Sequence, residues 1–452
     1  MRLSNLMLPD VVAAFSTDPT SVRELFNDLH AEDVADLIEA AEDDISAAML
    51  LALDPERAAD VLECIEEELQ SALIARLGVE KAAPIVEAMA SDERADMIGE
   101  LEDELADAIL ARMDPEEAAD VRTLVAYEDD TVGSVMSTEV LKVPLDMTVA
   151  EVIDRVRQYG EEAETVYYVY IVAAGDTLVG VISLRDLILH PPGTQVAELM
   201  TEDVKTIGPE ADQEEVASTI QHYDLIALPV VDDNHHLIGI VTVDDVVDVL
   251  EEEATEDIHR IGAVQPLEAS YFSTSFWTFV GKRAPWLVAL FVGGILTAEA
   301  LTWYEDEMNQ AVLLIAFLPL IISSGGNSGS QSATLIIRAL AVREVDISHA
   351  WRVLVREVGI GVVLGGMLAF IGAICAGLWS EPGEFYGLAA TVGITLIAVV
   401  TIGTLAGSML PILLERIGLD PAVSSTPFIA SLVDMLGVVT YLSLAKAIMG
   451  LG

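Results

Sequence analysis

Cysteine is nearly absent from this chain: Cys64 and Cys375 are the only two in 452 residues. One lies in a polar stretch and the other inside a hydrophobic run, so no disulfide is expected between them. Basic residues are scarce too, with 22 Lys and Arg against 75 Asp and Glu and a net charge of −53. Phosphate backbones are held by clustered Lys and Arg, which excludes nucleic acid as a partner. Only seven histidines occur (His30, His190, His222, His235, His236, His259 and His349), and none falls in a long apolar run. An intramembrane H-E-x-x-H metalloprotease is therefore excluded. The opening MRLSNLMLPDVVAAF is too short and unflanked for a secretory signal, so membrane insertion is expected to rest on internal segments.

What is present divides unevenly. Residues 1–270 carry 63 acids against 14 bases, a net of −49, while residues 271–452 carry 12 against 8, a net of −4. The first part must be soluble. Two readings fit its acids: a highly charged surface suited to a salt-rich cytoplasm, where repulsion is screened over short distances, and attraction of divalent cations, which prefer oxygen ligands.

Residues 20–127 read as a helical repeat array. LDPERAADVL (53–62), LGVEKAAPIV (77–86) and MDPEEAADVR (113–122) resemble one another, and HAEDVADLI (30–38) and ASDERADMI (90–98) echo the same pattern. An acid before Pro marks a helix start. Short helices of this kind bury their apolar stripes against their neighbours.

The periodicity changes near residue 135. VYYVYIV (166–172) and LVGVISL (178–184) read as strands, and the order returns with ALPVVDD (227–233) and LIGIVTVDDVVDVL (237–250). This is an internal duplication of roughly 60 residues. Gly180-Val181-Ile182-Ser183-Leu184-Arg185-Asp186 and Gly239-Ile240-Val241-Thr242-Val243-Asp244-Asp245 both fit G-h-h-[ST]-x-x-D. The duplicated unit resembles a tandem pair of CBS modules. That resemblance implies a nucleotide site, ATP by expectation, using Ser183, Arg185, Asp186 and Thr242.

Five apolar spans follow, at roughly 285–304, 310–340, 354–379, 386–414 and 425–450, each reaching the ~20 residues a hydrocarbon core requires. Lys282 and Arg283 precede the first; Arg338, Arg343, Arg352 and Arg356 flank the second-to-third loop; Arg416 follows the fourth. The loops YEDEMNQ and SEPGEFYG have no base. The positive-inside rule then places the N-terminus in the cytosol and the C-terminus outside. Lys446 is the exception and is expected to snorkel.

Asp434 lies deep in the fifth span, where a carboxylate costs about 3 kcal/mol to insert. Facing water and a cation is one reading, and pairing with a polar neighbour is the other. The second span is expected to be interrupted at Pro319 and by Ser323-Ser324-Gly325-Gly326-Asn327-Ser328-Gly329-Ser330-Gln331-Ser332. Polar backbone at that depth must line a cavity or pack tightly. Thr426-Pro427 is expected to free backbone carbonyls near Asp434. An all-oxygen lining of this kind suits a hard cation that keeps its water.

The strings VTVDDVVDVLEEEATEDIHRIGAV (241–264), GGNSGSQSATLIIRALA (325–341) and GLDPAVSSTPFIASLVDMLG (418–437), in this domain order, resemble the MgtE-type magnesium transporters and channels over nearly the whole chain. The resemblance implies a multidomain membrane protein. Its parts are an all-α helical-repeat N domain (1–130), an α/β tandem CBS pair (131–195 and 196–253), a connecting, plug-like helix (254–282) and an all-α five-helix transmembrane domain (283–452). It also implies a homodimer in the plasma membrane with its pore on the twofold axis. The pore residues would be Asp434, Gly325, Gly326, Asn327, Thr426 and Ala430. Cytosolic Mg²⁺ would close it by binding Asp92, Asp96, Asp212, Glu214, Asp224, Asp245, Asp248, Glu253, Glu256 and Asp257. Asp92 and Asp96, four apart, are expected on one helix face. A broader transporter of Mn²⁺, Co²⁺ or Ni²⁺ and a CBS-regulated anion channel stay open as alternatives. The lack of intramembrane His and Cys weighs against the first, and Asp434 against the second.

Overall fold

The structure, a computed structural model, describes residues 4–17, 19–160, 162–267, 271–379 and 385–451. The chain divides into two compact units, Met1–Glu251 and Glu252–Gly452.

The first unit opens with α1 (Ser4–Thr17), α2 (Pro19–Asp28), α3 (Ala31–Glu39), α4 (Asp43–Leu50) and α5 (Pro55–Leu62). It continues with α6 (Glu67–Leu77), α7 (Val79–Val86), α8 (Ser91–Gly99), α9 (Asp103–Leu110) and α10 (Pro115–Leu124). Their starts follow the sequence signals. Asp54 and Asp114 stand before helix-opening prolines, and the Asp114 side chain accepts from the Glu116 N–H at 2.8 Å. Gly78, at φ 73°, turns the chain between α6 and α7 where a side chain would be strained. Small alanines (Ala35, Ala58, Ala59, Ala82) let the helices approach, and Leu37, Ile38, Leu62, Ile74 and Val86 fill one continuous core.

The duplicated modules follow. In the first, β1 (Lys142–Pro144) pairs parallel with β2 (Tyr168–Val172), which pairs antiparallel with β3 (Leu178–Ser183). Helices α11 (Val149–Tyr159) and α12 (Leu184–Leu189) accompany this sheet, and a Thr148–Glu151 capping box starts α11. The second module has α13 (Gln213–Tyr223), β4 (Ala227–Val231), β5 (Leu237–Thr242) and α14 (Val243–Ile261). The register shifts between Ile171 and Val172 and again between Val230 and Val231, 59 residues on, as Ser183 is from Thr242 and Asp186 from Asp245. The duplication is thus structural down to its bulges.

The second unit contains α15 (Phe276–Trp303), α16 (Glu305–Gln310), α17 (Leu313–Ala341), α18 (Ala350–Trp379), α19 (Phe385–Arg416) and α20 (Thr426–Met449). All but α16 are long and apolar enough to cross a membrane. The third-to-fourth loop lies partly outside the described residues, at 380–384.

Three expectations change here. The second span is one continuous helix through both Pro319 and the polar run. Its glycines serve close packing: a Cβ on Gly403 would lie 2.5 Å from the Gly325 carbonyl oxygen, and one on Gly407 would lie 2.1 Å from that of Gly329. Two glycines four residues apart on α17 thus face two on α19, and Gly361 and Gly365 of α18 press on Thr401 and Ile397 of α19 in the same way. Pro427 sits in the first turn of α20, where its missing N–H costs nothing, so it does not break the span. The connecting segment is not one helix from 254 to 282. It is helical to Ile261, reverses at Ala263 (φ 58°) and resumes helix at Phe276, with residues 268–270 outside the described part.

Candidate functional site

In the membrane unit, α20 carries Asp434 and Ala430 toward α17. A Cβ on Gly326 would lie 3.2 Å from Asp434 Oδ1 and 3.5 Å from Ala430 Cβ. Gly326, Ala430 and Asp434 are therefore brought together. Asp434 is half-buried and makes no hydrogen bond or ion pair among the described residues. Gly325, next to Gly326, packs instead on Val399 and Val433. Asn327 is exposed, and its Nδ2 donates to Ser323 Oγ at 3.2 Å. Thr426, two turns before Asp434, uses its carbonyl to accept from Ser330 Oγ (3.3 Å). The reading of the sequence passed over Glu357, a buried acid of α18 whose Oε2 accepts from Ser332 Oγ at 2.8 Å. Its signal was plain: an acid inside an apolar run.

Lys446 does not simply snorkel. Its Nζ lies 2.7 Å from Oε1 of Glu307, which is 5% exposed, tying the end of α20 to the α15–α17 connection. At the other end of the bundle, Arg260 pairs with Glu256 on its own helix and with Asp420 in the loop before α20. Thr426 Oγ1 donates to the Ile261 carbonyl at 3.1 Å. The tail of α14 is thereby fastened to the start of α20. Beside it, Asp257 is pushed up to about 6 by burial, with Asp420 and Glu253 adding to the shift and Arg338 opposing it. Asp420 was not among the acids singled out from sequence.

In the first unit, α8 is held against the first module by Ser91, whose Oγ lies 3.1 Å from Ser137 Oγ and accepts from the Thr138 N–H at 2.8 Å. Arg94, 3% exposed, pairs with Glu117 and with Glu139 (3.3 Å). This placement sinks Asp92 to 6% exposure with Oδ1 unpaired among the described residues. Burial pushes Asp92 well above its ordinary value, and the charges of Asp245, Glu164 and Glu93 add to the shift. Glu93 is pushed up to about 8 by burial, then by Glu63, Asp96, Asp245 and Asp248. Asp248 is raised by burial and by Glu251, Asp244 and Glu32. Four acids named from the sequence, Asp92, Asp96, Asp245 and Asp248, thus belong to one electrostatic group. Glu63, Glu93 and Glu164 join it without having been named. Asp92 and Asp96 differ in depth, one buried and the other exposed, so sharing a face did not give them one environment. Among the described residues no three acids or His and Cys side chains converge tightly enough to chelate a bare metal ion.

Three further acids of the second module, Asp212, Glu214 and Asp224, sit at the ends of α13. Asp212 is its N-cap, accepting from the Glu214 N–H at 2.8 Å, and Asp224 closes it in the left-handed region. With 11 helical residues between them, Asp212 and Asp224 are about 18 Å apart and cannot share an ion.

The two S/T-x-x-D motifs differ. Ser183 Oγ donates to Asp186 Oδ2 at 2.6 Å, while Arg185 is exposed and has no ion pair among the described residues. Thr242 is buried and its hydroxyl contacts Asp244 and Asp245, within reach of the acid group. The first motif thus carries an exposed cation beside its hydroxyl and carboxylate, while the hydroxyl of the second is bonded to acids.

The chain matches three family descriptions: divalent cation transporter over residues 318–444, MgtE intracellular N domain over 29–130, and CBS domain over 132–193 and 196–252. It is 42% identical over 334 residues to the magnesium transporter MgtE of Thermus thermophilus, covering 73% of this chain and 72% of that one. The Enterococcus faecalis magnesium transporter MgtE is 37% identical, covering 73% and 71%. Among solved structures, the soluble part of a magnesium transporter superposes with a TM-score of 0.53 at 33% identity, over 56% of this chain and 99% of that one. The cytosolic domain of the Mg²⁺ channel MgtE in complex with ATP gives 0.52 at 36% identity, over 55% and 100%.

Proposed function

Because the chain belongs to the MgtE family of magnesium transporters, we propose that it conducts hydrated Mg²⁺ past Asp434 and that cytosolic Mg²⁺ closes the pathway. The observation that carries this is Asp434 beside Gly326, a half-buried carboxylate without a partner among the described residues, on a helix whose neighbour has a glycine in place of a side chain. Mg²⁺ gives up its water reluctantly and needs few direct protein ligands. One carboxylate per chain suits it, and a pathway on the twofold axis of a homodimer would supply two.

The acid group around Asp92 and Asp245 is the regulatory part of the proposal. Like charges held together at low exposure repel, and a hydrated divalent cation relieves that repulsion without direct chelation. Cytosolic Mg²⁺ then favours the state in which these acids are together over one in which they are apart. A change in α14 has a route to the pore helix through the Arg260–Asp420 pair and the Thr426–Ile261 hydrogen bond. Asp212, Glu214 and Asp224 form a separate pair of positions at the ends of α13, and Glu253, Glu256 and Asp257 a third near Asp420.

ATP is assigned to the first module. Arg185 is a cation open to phosphate, and Ser183 and Asp186 offer a hydroxyl and a carboxylate; a relative's cytosolic domain was solved with ATP. The chain sits in the plasma membrane with its N-terminus in the cytosol and its C-terminus outside, as the basic residues argue. Its acid excess suits a salt-rich cytoplasm.

The test is Mg²⁺ uptake into proteoliposomes by the wild type and Asp434→Ala, each with and without Mg²⁺ on the cytosolic side. Uptake undiminished by the substitution sinks the pathway, and flux indifferent to cytosolic Mg²⁺ sinks the regulation.

A further inference from the structure

Arg283 is one of 22 bases in a chain with 75 acids. It makes no ion pair or hydrogen bond among the described residues, although it lies at the start of the first span. It borders a cavity of about 620 Å³, within the size range of small-ligand sites. The walls are almost all apolar: Val264, Leu267, Tyr271, Phe279 and Val280, with His259 and Arg283 as the polar groups.

The end of α14, the residues just after it and the start of α15 line this cavity. After α14 the chain reverses at Ala263 and returns along α15, where the Gln265 N–H donates to the Lys282 carbonyl at 3.1 Å. Tyr271 and Phe279 meet with ring centroids 5.1 Å apart. The Nδ1 atom of His259 is closed off from solvent yet has no hydrogen-bond partner among the described residues. An unpaired buried ring nitrogen and an unpaired guanidinium border one apolar chamber. Phe276 lines its mouth, and beside it Trp277 is exposed in the way of aromatic side chains at a membrane interface.

We propose that this cavity binds an anionic phospholipid, with an acyl chain among Val264, Leu267, Phe279 and Val280 and the headgroup phosphate on Arg283. Free phosphate is not the natural occupant, because one guanidinium cannot repay all the water it would lose among walls that an acyl chain fills. The single cation selects an anionic headgroup over a zwitterionic one. The site lies where the regulatory α14 passes into the first span, so its occupant braces that turn. This placement rests on the reading that the Phe276 end of α15 faces the cytosol.

The experiment is native mass spectrometry of the delipidated full chain offered phosphatidylglycerol or phosphatidylcholine, with Arg283→Gln and Val280→Trp alongside. The wild type should retain phosphatidylglycerol preferentially. Arg283→Gln should lower that retention about tenfold, the scale of a hydrogen bond to a charged group, and leave phosphatidylcholine unchanged. Val280→Trp, which fills the chamber, should lower both. Equal retention of the two lipids overturns the proposal, as does a preference unmoved by both substitutions. Cross-linking between copies through Val280→Cys, placing a second chain in the cavity, overturns it too. A preference that persists in a preparation without Mg²⁺ uptake upholds the lipid site while sinking the transport reading.

Discussion

Gly326 of α17 faces Asp434 of α20 so closely that a Cβ on the glycine would lie 3.2 Å from the carboxylate oxygen Oδ1. The carboxylate and the absence of a side chain opposite it are one arrangement. Gly326 is buried, so Gly326→Val should crowd the carboxylate and Ala430 at a cost of about 1–3 kcal/mol, which the melting temperature in detergent checks separately from transport. Uptake in proteoliposomes should fall by roughly tenfold or more. Uptake at the wild-type rate would show that this face is not the pathway.

The α17–α19 contact makes a prediction about stability alone. A Cβ on Gly407 would meet the Gly329 carbonyl oxygen at 2.1 Å, whereas one on Gly366 meets nothing within 4 Å. Gly407→Ala should lower the melting temperature in detergent, by overpacking worth about 1–3 kcal/mol. Gly366→Ala should leave it unchanged or raise it slightly.

The acid group around Asp92 sets a pH dependence. Glu93 is raised to about 8 from an ordinary value of 4.5, and Glu139 to about 7, each chiefly by burial. A carboxyl raised on folding binds its proton more tightly in the folded state. The stability it contributes is therefore full below its unfolded value and is lost as pH rises through the folded value. In chelator, resistance of the first unit to limited proteolysis should decline between about pH 5 and pH 8, and Mg²⁺ should restore it most at the upper end. A profile flat in pH and unmoved by Mg²⁺ would count against the group as a sensor. In Asp92→Asn, one charge of the repelling set is gone, so the decline should shrink and closure of the pathway should need less cytosolic Mg²⁺.

Lys446 and the buried Glu307 form a testable couple. Lys446→Met leaves Glu307, 5% exposed, without its cation and should lower the melting temperature in detergent. Adding Glu307→Gln should recover most of that loss. Equal destabilisation by the single and double variants would mean the pair contributes nothing beyond its packing.

The sequence by itself determined the order of parts, the helix starts at Asp54-Pro55 and Asp114-Pro115, the 59-residue duplication and the five spans. These depend on neighbours in the chain, on hydrophobic period and on capping chemistry, all of which are local. It also singled out Asp434, because a charge within about twenty apolar residues stands out without knowledge of what surrounds it. Tertiary structure alone decided what the glycines of the polar run do, since Gly325 and Gly329 gain meaning only when Gly403 and Gly407 of another helix lie against them. It alone drew Glu63, Glu93 and Glu164 into one group with Asp92 and Asp245, residues separated by up to 182 positions from 63 to 245. And it alone joined Lys446 to Glu307 and Arg260 to Asp420. Charges act through space with a reach of a few ångströms in low dielectric, and one acid among 75 looks like any other until the fold has chosen its neighbours.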